Sequence, residues 1–273
     1  MKDGKDPLAI LKGRHRTRMN DPVTIHFLDT DHGTRLAWTG REVFGKPTII
    51  FFAGHGSDMD GTKAIAVDSW AEHNGFGMIR FDYSGHGQSS GAFLDGTIGQ
   101  WKKDCLAIID TLTSEAVIIV GSSLGGWLMM LAARERADRI IGMIGIAAAP
   151  DFTRDLIWDS LSDDQKKTME RDGQIALPNP YAPEDVIYPL HLITEADRHL
   201  VLNDPISLDC PVRLLQGMQD EEVPPVTAEK LAAIIDSPDL EVIFDETAGH
   251  RFSEPDQIDL LLSCLDEITL KSG

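Results

Sequence analysis

The chain has 273 residues, of which 42% are hydrophobic, enough to fill the core of one compact α/β domain. Its formal net charge of −19, from 25 basic and 44 acidic residues, makes non-specific binding to nucleic acid or to anionic membranes unfavourable. The longest apolar run, residues 140–149, is about half as long as a membrane span requires. We therefore expect no membrane insertion and no nucleic-acid partner.

Residues 1–19 are locally basic and contain no apolar core. The lack of a core argues against a secretory signal, and Asp3 and Asp6 argue against a mitochondrial presequence. We expect this stretch to be a mobile N-terminal arm.

Hydrophobic periodicity predicts an alternation of strands and helices. The first two strands have no helix between them, which favours an antiparallel hairpin at one edge of a sheet. The later alternation predicts a mostly parallel, doubly wound sheet of eight strands covered on both faces by helices. The strands are expected near 23–28, 34–38, 48–53, 77–82, 116–121, 140–147, 211–216 and 240–245, and the helices near 61–74, 98–113, 124–136, 226–235 and 256–268.

The third strand runs into a loop with two glycines, residues 53–59. In folds where a strand–turn–helix elbow carries the nucleophile, this loop supplies one oxyanion-hole N–H and the residue after the nucleophile supplies the other. We assign the two donors to the backbone amides of His55 and Leu124. The His55 side chain could instead be a catalytic base, but it precedes every other part of such a site.

The fourth strand leads into a D-x-x-G-x-G-x-S turn at residues 82–89. Its glycines permit positive φ angles and a close backbone approach near the catalytic edge of the sheet. We interpret the turn as structural, and His86 within it as a loop residue rather than a ligand.

The nucleophile is predicted at residues 121–125, Gly-Ser-Ser-Leu-Gly, between an apolar strand and a helix. Such an elbow holds the serine Oγ clear of its own backbone and directs free helix N–H groups towards an oxyanion. The pentapeptide arises by chance in roughly one chain of this length in ten, so the strand and the helix around it carry the prediction. Ser123 is the candidate, because it alone has glycines at positions −2 and +2.

Two further residues complete a catalytic triad. Asp220 lies three residues beyond the glycine that closes the seventh strand, and His250 follows the last strand. The chain order Ser, Asp, His is the order that elbow folds use. Asp220 and the two glutamates after it could instead be merely solvated; we favour Asp220 as the acid that orients His250.

With these motifs in order, residues 20–270 resemble the serine hydrolases of the α/β-hydrolase superfamily. Residues 54–64 and 81–87 are similar to a narrower group, the mitochondrial α/β-hydrolase-domain proteins of animals described as palmitoyl-protein thioesterases and acyl-glucuronide esterases, with their bacterial relatives. The resemblance implies an α/β-hydrolase core at 20–150 and 206–270, with a helical lid inserted after strand 6 at 151–205.

The lid segment offers Ile157, Trp158 and Leu161 at helical spacing as candidate substrate-binding residues. The alternative is that these side chains only pack the lid against the body. No basic cluster lies among the motif loops, so an apolar acyl group is favoured, carried by a small-molecule or an acylated substrate.

The resemblance and the triad together imply a serine hydrolase that cleaves carboxylic esters or thioesters through an acyl-serine intermediate. Two alternatives stay open. One is another enzyme on the same triad, such as an acyltransferase, a C–C bond hydrolase or a cofactor-free haloperoxidase. The other is a non-catalytic binding protein of this fold, which predicts a missing triad member.

The three cysteines, at positions 105, 210 and 264, show no motif spacing. Buried free thiols in a reducing compartment are expected, and hence a cytoplasmic protein. Neither a metal-ligand spacing nor a glycine-rich phosphate loop is present in the sequence, so no metal or cofactor is predicted. The sequence does not determine the oligomeric state.

Overall fold

The computed structural model describes residues 24–179 and 183–271, and the predicted N-terminal arm lies outside these ranges. In chain order the strands are β1 (His26–Asp29), β2 (Arg35–Arg41), β3 (Thr48–Phe52), β4 (Gly77–Phe81), β5 (Val117–Ser122), β6 (Ile140–Ile146), β7 (Gln174–Leu177), β8 (Val186–Pro189), β9 (Ile206–Ser207), β10 (Val212–Gly217), β11 (Ile235–Asp236) and β12 (Leu240–Asp245). The α-helices are α1 (Thr62–Asn74), α2 (Ile98–Leu112), α3 (Leu124–Arg136), α4 (Asp163–Asp172), α5 (Leu190–Ala196), α6 (Val226–Ile234) and α7 (Pro255–Lys271).

Eight of the strands form one sheet in the order β1-β2-β4-β3-β5-β6-β10-β12. Only β2 runs antiparallel to its neighbours, and every other adjacent pair is parallel. The predicted eight-stranded, mostly parallel sheet with an antiparallel hairpin at one edge is confirmed. Because β3 and β5 are adjacent although β4 lies between them in sequence, the connections change direction there, which is where open α/β sheets bind ligands.

The centre of the sheet is apolar because helices cover both of its faces. Every residue of β3, β4 and β5 is buried, so these strands are mostly apolar and do not alternate between apolar and polar residues. Helix α3 packs directly on this centre, and its first ten residues are all buried. The elbow between β5 and α3 is therefore fixed from both sides.

Between β6 and β10 the chain leaves the sheet. This inserted segment contains a π-helical turn (Thr153–Ile157), a 3-10 turn (Trp158–Ser160), α4 and α5. It also contains an antiparallel pair, β7 with β8, which the expectation of a purely helical lid omitted. Buried Asp151, where the segment begins, accepts hydrogen bonds from the backbone N–H groups of Val201 and Leu202 near its end, at 2.8 and 3.0 Å.

The cysteines Cys105, Cys210 and Cys264 are buried free thiols. Burial raises the pKa of Cys210 and of Cys264 to about 11, so neither thiol is a ready nucleophile. Across the ranges 24–179 and 183–271, no helix combines the length and the apolar character needed to cross a membrane.

Candidate active site

Ser123 occupies the turn between β5 and α3 in a strained backbone conformation, with φ 52° and ψ −117°. The flanking glycines explain how the turn closes. A Cβ on Gly121 would lie 2.5 Å from the Gly125 backbone oxygen, and a Cβ on Gly125 would lie 2.0 Å from the Phe52 oxygen. Only glycine fits at either position, which is the physical basis of the sequence pattern around Ser123.

The structure brings Ser123, His250 and Asp220 into one hydrogen-bonded chain. Ser123 Oγ lies 3.1 Å from His250 Nε2, and His250 Nδ1 lies 2.9 Å from Asp220 Oδ2. The Asp220 side chain is fully buried, and that of His250 is 14% exposed. With Nδ1–H donating to the carboxylate, Nε2 is left to accept the hydroxyl proton of Ser123, as a nucleophile–base–acid arrangement requires.

Asp220 is held rigidly by its own loop. Its Oδ1 accepts hydrogen bonds from the backbone N–H groups of Glu222 and Val223, at 3.0 and 2.8 Å. Its Oδ2 accepts a further bond from Gln216 Nε2 at 3.2 Å. Glu222 thus contributes a backbone N–H to this arrangement, and Asp220 is the carboxylate that meets the imidazole.

The backbone amides of His55 and Leu124 are free to face a substrate oxygen. Leu124 is the first residue of α3, where N–H groups have no partner within the helix. Neither amide donates to another group in the described ranges of the chain. The loop of His55 lies against the nucleophile, since a Cβ on Gly54 would be 3.5 Å from the Ser123 Cβ.

His86 lies against the loop that carries His55. The Gly56 N–H donates to His86 Nε2 at 3.1 Å, and His86 Nδ1 lies 3.3 Å from the Ser84 carbonyl oxygen, to which it donates. Burial lowers the pKa of His86, which keeps the ring neutral and Nε2 available as an acceptor. The sequence identified His86 only as a loop residue; its contact with Gly56 could not be read from the motif.

The His55 ring is enclosed by other rings. It stacks on Tyr188 at 5.8 Å between centroids, and it also contacts the rings of Phe93, Phe152, Trp101 and His86. Loss of hydration, and secondarily the proximity of His86, lowers the pKa of His55 to about 3. A group so hard to protonate is a poor general base near neutral pH, which agrees with assigning its backbone rather than its ring to the site.

A cavity of about 820 Å³ opens over these groups. Ser123, His55 and His250 line it together with many apolar side chains, most of them from the inserted segment. The apolar lining residues are Phe93, Ala149, Phe152, Leu156, Ile157, Leu177, Pro178, Val186, Tyr188 and Val223.

The three substrate-binding candidates are placed differently from one another. Ile157 lines the cavity, whereas Trp158 and Leu161 are not part of its wall. Leu161 is buried in the hydrophobic core, and Trp158 is partly buried and packs against that core. The Arg154 guanidinium and the Lys166 ammonium each lie 5.6 Å from the centroid of the Trp158 ring.

Two basic residues of the cavity wall, Lys63 and Arg251, were missed in the sequence. They lie far apart in the sequence, so no local cluster of basic residues indicated that they share a site. In the described residues, no three His, Cys, Asp or Glu side chains are grouped closely enough to bind a metal ion.

The chain is similar to known hydrolases in sequence and in fold. Residues 45–171 match the family model described as serine aminopeptidase, S33. The mouse mitochondrial palmitoyl-protein thioesterase ABHD10 is 41% identical, with 90% of this chain and 82% of that protein aligned; the human protein is 40% identical, with 90% and 80% aligned. A putative hydrolase from Agrobacterium vitis superposes with a TM-score of 0.87 at 36% identity, covering 91% of this chain and all of that one. The structure of mouse ABHD10 superposes with a TM-score of 0.85 at 38% identity, covering 92% of this chain and all of that one.

Proposed function

This chain belongs to the α/β-hydrolase family that contains the mammalian ABHD10 proteins, and on that premise we propose that it hydrolyses acyl thioesters and esters with Ser123 as the nucleophile. The mouse and human relatives are named palmitoyl-protein thioesterases, which supports a thioester as the bond that is cleaved. The observation that carries the proposal is the unbroken hydrogen-bonded chain from Ser123 through His250 to Asp220, which reaches a cavity with apolar residues of the inserted segment in its wall.

The reaction begins when Ser123 Oγ attacks the acyl carbonyl carbon while His250 Nε2 removes the hydroxyl proton. Asp220 holds the imidazole in the required tautomer and offsets the positive charge that develops on it. His250 then protonates the departing thiolate or alkoxide, which leaves an acyl-Ser123. A water activated by the same histidine releases the carboxylic acid and regenerates Ser123.

The negative charge on the tetrahedral oxygen is stabilised by the amides of His55 and Leu124. Such preorganised donors contribute roughly 3 kcal/mol each to lowering the barrier. His86 supports this arrangement, because it fixes Gly56, the residue next to His55.

The apolar part of the wall is proposed as the acyl site. Leu156, Ile157 and Leu177 from the inserted segment supply much of it. The segment at 151–205 is therefore proposed to act as the lid. The mammalian relatives are named palmitoyl-protein thioesterases, and we propose long-chain acyl thioesters as the substrate class here. These relatives are also named mitochondrial, and a cytoplasmic location for this chain stays a prediction.

The test is a series of p-nitrophenyl esters and acyl-CoA thioesters with acyl chains of roughly two to sixteen carbons. Each buried methylene contributes about 0.8 kcal/mol, so kcat/KM should rise roughly fourfold per methylene until the cavity is full and then level off. Ser123→Ala is the matched inactive control. A profile that falls steadily from the acetyl group would contradict the long-acyl assignment and leave a short-chain esterase.

A further inference from the structure

A buried carboxylate lies behind the loop at residues 53–59, which we call the oxyanion loop because it carries the His55 amide. The carboxylate belongs to Asp104 of α2, and its side chain is fully buried. The Ser84 backbone N–H and the Ser84 hydroxyl both donate to Asp104 Oδ2, at 2.8 and 2.6 Å. Asp104 therefore holds Ser84 by two donors at once, in the turn that follows β4.

The other carboxylate oxygen of Asp104 faces side chains that can exchange donor and acceptor roles. Oδ1 lies 2.8 Å from His32 Nε2. It also accepts hydrogen bonds from Thr34 Oγ1 at 3.3 Å and from Gln100 Nε2 at 3.1 Å. An imidazole, a hydroxyl and a primary amide can each donate or accept. The backbone N–H of Ser84 can only donate, so the Ser84 side is the one that requires an acceptor at position 104.

The Ser84 carbonyl oxygen fixes the tautomer of His86. It accepts hydrogen bonds from His86 Nδ1 at 3.3 Å and from the Trp101 indole N–H at 3.0 Å. With the proton on Nδ1, His86 Nε2 can accept the Gly56 N–H at 3.1 Å. Trp101 and Asp104 lie one turn apart on α2, so this helix holds Ser84 through both its N–H and its carbonyl.

Stability alone is a poor reason for an ionised group at position 104. Burying a carboxylate carries a large desolvation cost, and an apolar side chain of similar shape is often neutral or stabilising in place of a buried charge. An apolar side chain here would instead leave the Ser84 N–H without an acceptor and let the turn shift. The buried carboxylate thus acts on the position of Ser84 more than on the packing of the core.

We propose that Asp104 and Ser84 are positioning residues for the oxyanion hole. Asp104 fixes Ser84, and the Ser84 carbonyl keeps His86 in the tautomer with an unprotonated Nε2. That nitrogen holds the N–H of Gly56, the residue next to His55. Neither Asp104 nor Ser84 lines the cavity, so both act on the reaction through His86. The inference rests on the proposed function, because an oxyanion hole acts only during attack on an acyl carbonyl.

The first measurement is kcat for p-nitrophenyl butyrate, referred to the concentration of active enzyme from titration with a fluorophosphonate. Asp104→Leu removes both acceptor oxygens and should lower kcat about fivefold with little change in KM, because the oxyanion forms only in the transition state. Asp104→Asn still offers one oxygen to Ser84 and should recover most of the loss. Gln100→Met is the matched control. It removes a donor from the other carboxylate oxygen, and its kcat should stay within about twofold of the wild type.

A double-mutant cycle separates positioning from general stabilisation. If Asp104 acts through His86, adding Asp104→Leu to His86→Leu should lower kcat by less than about twofold further. If the two residues act independently, their losses multiply, to about fiftyfold where His86→Leu alone costs about tenfold. Thermal unfolding of each single variant reports any effect on stability separately.

Ser84→Ala replaces Asp104→Leu in the cycle if the latter does not fold. It removes only the hydroxyl donor, so kcat should fall about threefold in the wild-type background and stay unchanged in the His86→Leu background. An unchanged kcat in the folded single variant, or an undiminished loss in the His86→Leu background, would overturn the inference while leaving the hydrolase standing.

If the wild-type protein hydrolyses no ester, the proposed function fails, and the inference is judged by nitrogen NMR of the His86 ring. The shifts of the two ring nitrogens report which of them carries the proton. A proton on Nδ1 in the wild type that becomes shared between both nitrogens in Asp104→Leu, or in Ser84→Ala if Asp104→Leu does not fold, supports the inference. The same tautomer in the wild type and the variant overturns it.

Discussion

The loops after β5, β10 and β12, which form the catalytic edge of the sheet, and the inserted segment at 151–205 line one cavity. The two regions are held in place by different means. Ser123, Asp220 and His250 each follow a strand of the parallel part of the sheet, so the backbone of β5, β10 and β12 sets their positions. In its described residues the inserted segment has short helices and one small hairpin, and it is positioned by side-chain packing and by hydrogen bonds to the body, such as that from Trp127 Nε1 to the His199 carbonyl oxygen at 2.9 Å. Changes at the edge should therefore lower turnover of every substrate, whereas changes in the segment should alter the preference among acyl chains.

The largest effect is expected at the elbow. Ser123→Ala should lower kcat by about 10⁶-fold for every ester and thioester, because it removes the nucleophile. Labelling by a fluorophosphonate probe should disappear with it, while thermal unfolding stays close to that of the wild type.

Ser122→Ala is the matched control, since Ser122 ends β5 and lacks the two flanking glycines that define the elbow. It should remain within about tenfold of the wild-type kcat. Comparable losses in the two folded variants would mean that the nucleophile has been misassigned.

The acid comes next. Asp220→Asn should lower kcat by about 10⁴-fold, because an amide in place of the carboxylate favours the wrong imidazole tautomer. Glu222→Gln keeps the backbone N–H that binds Asp220 and should have a small effect on kcat. Steady-state kinetics on one activated ester distinguish the two, and the reverse ranking would transfer the role of the acid to Glu222.

Much of the catalytic edge could be predicted because its requirements are local. The elbow needs glycines at positions 121 and 125 for steric reasons, and a glycine is visible in a sequence. Apolar runs bounded by turns located all eight strands of the main sheet, since buried parallel strands need no alternation. Asp220 and His250 were predicted from the chain order Ser, Asp, His and from their positions after the last two strands. The spatial order of the strands was not predicted, because it depends on contacts between distant segments.

The inserted segment and the contact between Lys63 and Arg251 could not be predicted in the same way. Strands β7 and β8 are four residues each and carry no periodic pattern long enough to tell a strand from a helix. Lys63 and Arg251 meet only through the fold, so each looks like an ordinary surface cation in the sequence. Contacts between distant segments depend on packing, which local patterns do not encode.

A smaller effect is expected beneath the oxyanion loop. His86→Leu leaves the Gly56 N–H without its acceptor and lets the loop shift, so kcat should fall by about tenfold with little change in KM. His86→Gln can still offer an oxygen acceptor and should recover part of the loss. A merely structural role would instead lower thermal stability and leave kcat of the folded fraction unchanged, which unfolding curves and active-site titration separate.

The smallest effect tests the other side of the comparison, the inserted segment. Ile157 lines the cavity, whereas its neighbour Trp158 packs outside it against the core. Ile157→Ala removes apolar contact with a long acyl chain but none with an acetyl group. The value of kcat/KM for long-chain esters should therefore fall about fivefold, corresponding to roughly 1 kcal/mol, while turnover of an acetyl ester stays nearly unchanged.

Trp158→Ala is the control. It should lower the free energy of unfolding but change kcat/KM for long and short esters by the same factor. The measurement is the ratio of kcat/KM for the two ester lengths in each variant. If Trp158→Ala changed that ratio more than Ile157→Ala, the acyl chain would run along a different part of the segment from the one that lines the cavity.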